Sequence, residues 1–182
     1  VGLDLAQDEL VFYPVIYWPV PENAEPLSDA VRTKIQAYMK NGGTIFFDTR
    51  DGGLDASLNG GGNTSLQTLL TKLDLPPLEP VPEKHVLTRS FYLLDRFPGR
   101  YDGPAPWVEA QASGEVAATG AADGVSSIII GSNDYAAAWA INDNGDPLNA
   151  LVGNADRQRE FAFRTGINIV MYALTGNYKA DQ

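Results

Sequence analysis

The chain contains no cysteine. That absence removes disulfides, thiolate metal sites and cysteine nucleophiles together. It leaves the compartment open, since cysteine-free proteins occur on both sides of a bacterial membrane. Histidine is nearly as scarce: His85 is the only one. Any Ser-His-Asp triad would have to use it, and no Gly-x-Ser-x-Gly elbow supports one. No apolar run approaches the ~20 residues that a membrane-spanning helix needs. Positive charge is in short supply too. Lys and Arg number 13 against 23 Asp and Glu, a formal net charge of −10. Such a balance repels phosphate backbones and anionic lipid, so no nucleic acid is expected as a partner. The start shows no signal-peptide pattern and no Met, and the expectation is a segment of a longer polypeptide.

Apolar material is plentiful. The 182 residues are 44% hydrophobic and 20% charged, enough for one ordinary domain with its own core. "ELVFYPVIYWPVP" (9–21) is apolar and aromatic-rich. Pro14 cannot donate to a ladder, so the strand is placed at Val15–Trp18. "PLSDAVRTKIQAYMKNGG" (26–43) reads as a helix, with Ser28 as N-cap, Asp29 at the positive end of the dipole, and Gly42 as the stop. Val31, Ile35 and Tyr38 share one face. "TIFFD" (44–48) is a second buried strand, completing a βαβ unit.

Beyond a Gly-rich loop (52–63), "TSLQTLLTKLDL" (64–75) predicts a helix opened by a Thr64/Gln67 capping box. "PPLEPVP" (76–82) reads as a stiff linker. Phe91–Leu94 and Trp107–Ala112 are candidate short strands, and "SGEVAATGAADG" (113–124) a loose excursion. "SSIIIGSND" (126–134) is a third buried strand with a polar end. "NADRQREFAFRTGINIVMYALTG" (154–176) is a long helix with Phe161, Ile169 and Tyr172 on its apolar side and Gly176 as C-cap. A single α/β domain over 1–182 is expected.

Five blocks carry a resemblance: "FYPVIYWPV", "PLSDAVRTKIQAYMKNGGTIFFDTRD", "HVLTRSFYLLDRFPGR", "IIIGSNDYAAAWA" and "FRTGINIVMYALTGNYKADQ". In this order, over nearly the whole chain, they resemble the bacterial domain-of-unknown-function family 4159. The resemblance implies a class I glutamine amidotransferase-like fold, a flavodoxin-like three-layer sandwich with a mostly parallel sheet. It implies the C-terminal part of a longer, membrane-anchored protein, lacking its first βα unit here. It implies no established activity. The related enzymes place a nucleophilic cysteine in the turn after the strand matching Thr44–Asp48. Thr49 and Arg50 stand there instead, so glutaminase chemistry does not carry over.

Candidate site residues gather at strand ends, where open α/β sheets bind ligands. These are Asp48, Thr49, Arg50 and Asp51 after one strand, and Asn133 and Asp134 after another. If the strands are neighbours, Asp48, Asp51 and Asp134 face one pocket whose oxygens suit Mg²⁺ or Ca²⁺. The competing reading is that Arg50 pairs with these carboxylates and closes a polar turn. His85 is a candidate base or a structural residue. Arg89 and Arg100, with Arg96, Tyr92 and Tyr101, form a basic-aromatic group able to receive a carboxylate, a sugar or an acidic loop. The "NGGGNTS" loop (59–65) lacks the lysine of a phosphate-binding loop.

The expectation is a non-catalytic binding or interaction module of an inner-membrane-associated protein. Its partners would be other domains of the same chain or a membrane complex, with a small ligand open and no cofactor required. The alternative is a metal-assisted hydrolase using the strand-end carboxylates.

Overall fold

A computed structural model describes residues 1–53, 64–110, 125–153 and 155–180. Among these, five strands form one sheet in the order β1-β2-β5-β4-β3. They are β1 (Val15–Pro19), β2 (Thr44–Asp48), β3 (Leu78–Pro80), β4 (Trp107–Glu109) and β5 (Ile128–Gly131). The helices are α1 (Asp29–Lys40), α2 (Thr64–Leu70), α3 (Tyr135–Trp139) and α4 (Ala155–Ala180).

The βαβ unit forms as its residues dictate. Ser28 caps α1 by accepting from the Val31 amide at 3.3 Å, and Gly42 leaves the helix with φ 92°. β1 then pairs parallel with β2, and β2 parallel with β5. All five β2 residues are buried, as expected of a strand covered on both faces.

The sheet separates two cores because side chains alternate. Ile16, Ile45, Phe47, Ile128 and Ile130 meet Ile35, Tyr38 and Met39 of α1 and Leu66 and Leu69 of α2. On the other face Phe46, Val108 and Ile129 meet Ile169 and Tyr172 of α4, with Tyr135, Leu87 and Phe97.

Several expectations need correction. The sheet is parallel only at one end, because β4 runs antiparallel to β5 and β3 antiparallel to β4. The expected 76–82 linker supplies β3, a short edge strand, a position that tolerates proline. Phe91–Leu94 is not a strand. Asn168 of α4 meets its main chain instead, accepting from the Tyr92 amide at 2.8 Å and donating to the Leu87 and Tyr92 carbonyls at 2.8 and 2.9 Å. The Trp107 strand stops at Glu109, and the helix from Thr64 stops at Leu70, with Lys72 in a left-handed conformation at φ 64°. α3 was not foreseen. Gly176 does not end α4, which runs to Ala180; a mid-helix glycine costs only about 1 kcal/mol. Segments 54–63 and 113–124 lie outside the described residues.

Candidate functional site

The carboxyl ends of β2 and β5 meet, since Asp48 and Gly131 are register partners. Asp48 is wholly buried. Its Oδ1 accepts from the main-chain amides of Arg50 at 3.2 Å and Asp134 at 3.3 Å. Its Oδ2 accepts from the Tyr17 hydroxyl and the Tyr135 amide, both at 2.7 Å. The Tyr17 oxygen in turn accepts from the Ala136 amide at 3.3 Å. Asp48 and Tyr17 thus hold three successive amides at the start of α3. Its own N-cap residue, Asp134, has φ 53° and makes no side-chain cap bond. A carboxylate from a neighbouring strand does the capping instead.

Burial raises the Asp48 carboxyl above its ordinary value, against the pull of its hydrogen-bond donors. Tyr17 is pushed up by burial and then by the Asp48 charge. Such a group holds neighbouring backbone in place and presents no vacant lone pair.

The other strand-end residues are also engaged. Asp51 folds back into its own turn, with Oδ1 accepting from the Thr49 hydroxyl at 2.9 Å and the Gly53 amide at 3.0 Å. Asn133 is fully buried. Its Nδ2 donates to the Phe97 and Pro104 carbonyls at 2.9 and 3.1 Å, and its Oδ1 accepts from the Gly103 amide at 3.2 Å. It ties the loop around residues 97–104 to the end of β5.

Gly99 and Gly103 make that approach possible. A Cβ on either would fall within 2.2–2.4 Å of Asn133 oxygens. Arg50, at φ 61°, is exposed and donates through its guanidinium to the Val20 carbonyl at 2.7 Å. The expected pairing of Arg50 with the carboxylates does not form. Arg100 is the cation at this corner, 3.6 Å from Asp134. Among the described residues no group of three His, Cys, Asp or Glu side chains is placed to hold a metal ion.

His85 lies elsewhere. It is buried, and its Nδ1 accepts from the Leu87 amide at 3.2 Å, capping a short 3-10 turn over Val86–Arg89. Its ring packs on Tyr172 at 5.4 Å, whose hydroxyl bonds the Ser126 amide at the opposite end of β5. Burial lowers the His85 pKa. Arg89 is exposed at the end of that turn. The basic-aromatic group divides. Arg100 lies over Tyr101, while Arg96, Arg157 and Arg164 surround Phe161 at 4.9–5.6 Å.

Tyr17, Tyr135 and Gln158 escaped the sequence reading. Gln158 is buried and donates to the Gly99, Arg100 and Val152 carbonyls at 2.9–3.3 Å. Nothing in a lone Gln on a helix announces that. Tyr17 carried one signal: an in-strand tyrosine on a buried sheet needs a hydroxyl partner, and a strand-end carboxylate is available.

A second feature is open. A groove of about 390 Å³ runs between β1 and α4. Val15, Tyr17 and Phe46 form its floor, Trp139 one end, and Phe163, Gly166, Ile167 and Val170 its wall. Gly166 lets Trp139 lie against α4, since a Cβ there would be 3.0 Å from the indole. Phe163, Ile167, Val170 and Leu174 are each about 40% exposed and recur at helical spacing, a second apolar stripe beside the buried one.

The molecule is a mixed α/β domain with a locked polar corner and an apolar groove beside α4. The chain belongs to the family described as Domain of unknown function (DUF4159), whose family model matches residues 1–174. Among curated proteins, none matches it. Among the described residues, no helix is long and apolar enough to cross a membrane.

Proposed function

We propose that this domain is a non-catalytic interaction module of a larger, inner-membrane-associated bacterial protein, built on a class I glutamine amidotransferase-like, flavodoxin-like three-layer plan. The observation that carries this reading is the contrast between corner and groove. Asp48 spends its acceptor positions on Arg50, Asp134, Tyr135 and Tyr17, so little polar capacity is left for a substrate. The apolar groove beside α4 is the surface with an unmet need. Contiguous exposed apolar surface on a folded domain marks a contact site. Its occupant is another domain of the same chain or a membrane-complex partner.

A metal-assisted hydrolase at Asp48, Asp51 and Asp134 has less in its favour, because Asp51 and Asp48 are turned into main-chain bonds. Thermal melts decide between the two. A divalent ion that binds only the folded state adds about 2.7 kcal/mol at a hundredfold excess over Kd. The expected result is no shift with Mg²⁺, Ca²⁺, Mn²⁺ or Zn²⁺, and no ammonia released from glutamine. A shift of several degrees that vanishes in Asp134→Asn would replace the interaction reading with the hydrolase.

A further inference from the structure

A third face of α4 carries an electrostatic need that is unmet. Arg157, Phe161, Arg164 and Asn168 recur at the spacing of one helical stripe. That stripe is separate from the groove wall of Phe163, Ile167 and Val170. Phe161 is its centre. The guanidiniums of Arg96, Arg157 and Arg164 lie 4.9, 5.6 and 5.4 Å from its ring centroid. Any two of them are therefore within about twice that distance of each other, close to the Debye length of about 8–10 Å in physiological salt. Ring faces attract cations, which gathers the three arginines at one place. Arg164 also lies 5.0 Å from the Tyr92 ring, and Tyr92 meets Phe91 at 4.9 Å. Rings and guanidiniums form one surface across two chain segments.

Asn168 holds those segments together. Its buried side chain bonds both the amide and the carbonyl of Tyr92. The segment carrying Tyr92 and Arg96 is thereby clamped to α4, and the surface is organised before any partner arrives.

The charges do not balance. Arg96 pairs with Asp102 and Arg164 with Glu160. Among the described residues, Arg157 has no carboxylate partner. It is exposed and stands in the first turn of α4, where the macrodipole disfavours a cation. Guanidiniums pair with carboxylates through two parallel hydrogen bonds. Beside them Phe91 is 61% exposed and offers apolar contact. An extended polyanion fits this surface poorly. A nucleic-acid duplex or an anionic lipid surface reaches past it and meets the rest of a chain whose net charge is −10. A short acidic segment stays within the screening length.

We propose that the surface of Arg96, Arg157 and Arg164 binds a short acidic protein segment that carries an apolar side chain beside its carboxylates. The carboxylates pair with the guanidiniums, and the apolar side chain rests on Phe91. The proposal rests on the interaction-module reading and names a partner chemistry for it, on a face of α4 away from the groove.

The test titrates the 182-residue chain into a short fluorescent peptide of Glu and Asp with one central Trp. A counterpart has Gln and Asn in place of every acid. The acidic peptide should bind and the neutral one should not. Binding should weaken about tenfold or more in the double variant Arg157→Gln, Arg164→Gln, and at least about threefold in Arg157→Gln alone. Arg157 is exposed, so the single variant keeps the test readable if the double variant fails to fold. Lys40→Gln removes the same charge from the exposed end of α1 and should change binding less than about twofold. Equal binding of the neutral peptide, an unchanged Kd in Arg157→Gln, or no binding of the acidic peptide to the wild type overturns the proposal. Tighter binding of duplex DNA or of phosphatidylserine vesicles than of the peptide also overturns it, by giving the surface to another class of partner. Each of these failures strikes this surface alone, since the divalent-ion melts above decide the interaction-module reading.

Discussion

The strand-end corner and the β1–α4 groove invite opposite readings from their composition. The corner is rich in carboxylates and arginines, and it is closed. Asp48 takes four donors, and Asn133 bonds three main-chain groups around it. The groove is built of Val, Tyr, Phe and Ile, and it is open. Polar residues buried with full hydrogen bonding do structural work. Apolar residues left at the surface in a contiguous stripe are the ones that lack a partner. Function is better sought where a physical need is unmet than where charge is dense.

The largest expected effect tests the shared wall of the two regions. Phe46 is 1% exposed and packs between Tyr17 and Tyr135 at 5.4 and 5.1 Å. Phe46→Ala should cost about 3–5 kcal/mol in denaturant titration. A change under 1 kcal/mol would mean this face is not the packed core described.

Asp48→Asn follows, at about 2–3 kcal/mol. The new amide nitrogen would face two of the four donors, either the Arg50 and Asp134 amides or the Tyr17 hydroxyl and the Tyr135 amide, leaving buried donors without an acceptor. If the variant melts like the wild type, the corner is not a lock, and a ligand role for Asp48 returns.

His85 gives a smaller effect with a definite sign. Burial lowers its folded pKa below the ordinary 6.5. The unfolded chain then binds the extra proton first as pH falls. The stability that neutral His85 contributes is fully present above about pH 6.5. It is lost downward from there, with a slope of at most about 1.4 kcal/mol per pH unit. Denaturation curves across pH 4–8 should show that slope in the wild type and lose it in His85→Asn. An unchanged slope in the variant would assign it to the carboxylates.

The smallest effect belongs to the groove. Val170 is 43% exposed, and Val170→Ser should move stability by no more than about 0.5 kcal/mol. A loss comparable to Phe46→Ala would show the stripe to be core already, and the contrast between the two regions would fail.

How much of this was legible in the chain differs from region to region. β2 appears at Thr44–Asp48 with the boundaries its apolar run indicates, and α1 with the cap Ser28 supplies. Both carry local signals: an unbroken apolar run, an N-cap, a glycine stop. β3 and α3 were missed because their signals are tertiary. "LEP" becomes a strand only by pairing with β4. "YAAAW" becomes a helix with its first amides held by Asp48 and Tyr17, from strands far away in sequence. Arg50 was the natural partner for the acidic turn by proximity, yet it reaches Val20 while Arg100 approaches Asp134. Sequence distance says nothing about which long side chain arrives first.

By itself, then, the sequence determined the βαβ start, the buried strands, the long α4, and the absence of thiol chemistry. Each depends on periodicity, on end signals or on a residue type being present at all. The tertiary structure decided that Asp48 is a cap, that His85 is remote from the corner, and that α4 leaves a second apolar stripe exposed beside an open strand edge. Those facts depend on which distant groups come within hydrogen-bonding or packing distance. One-dimensional order does not encode that until the sheet has assembled.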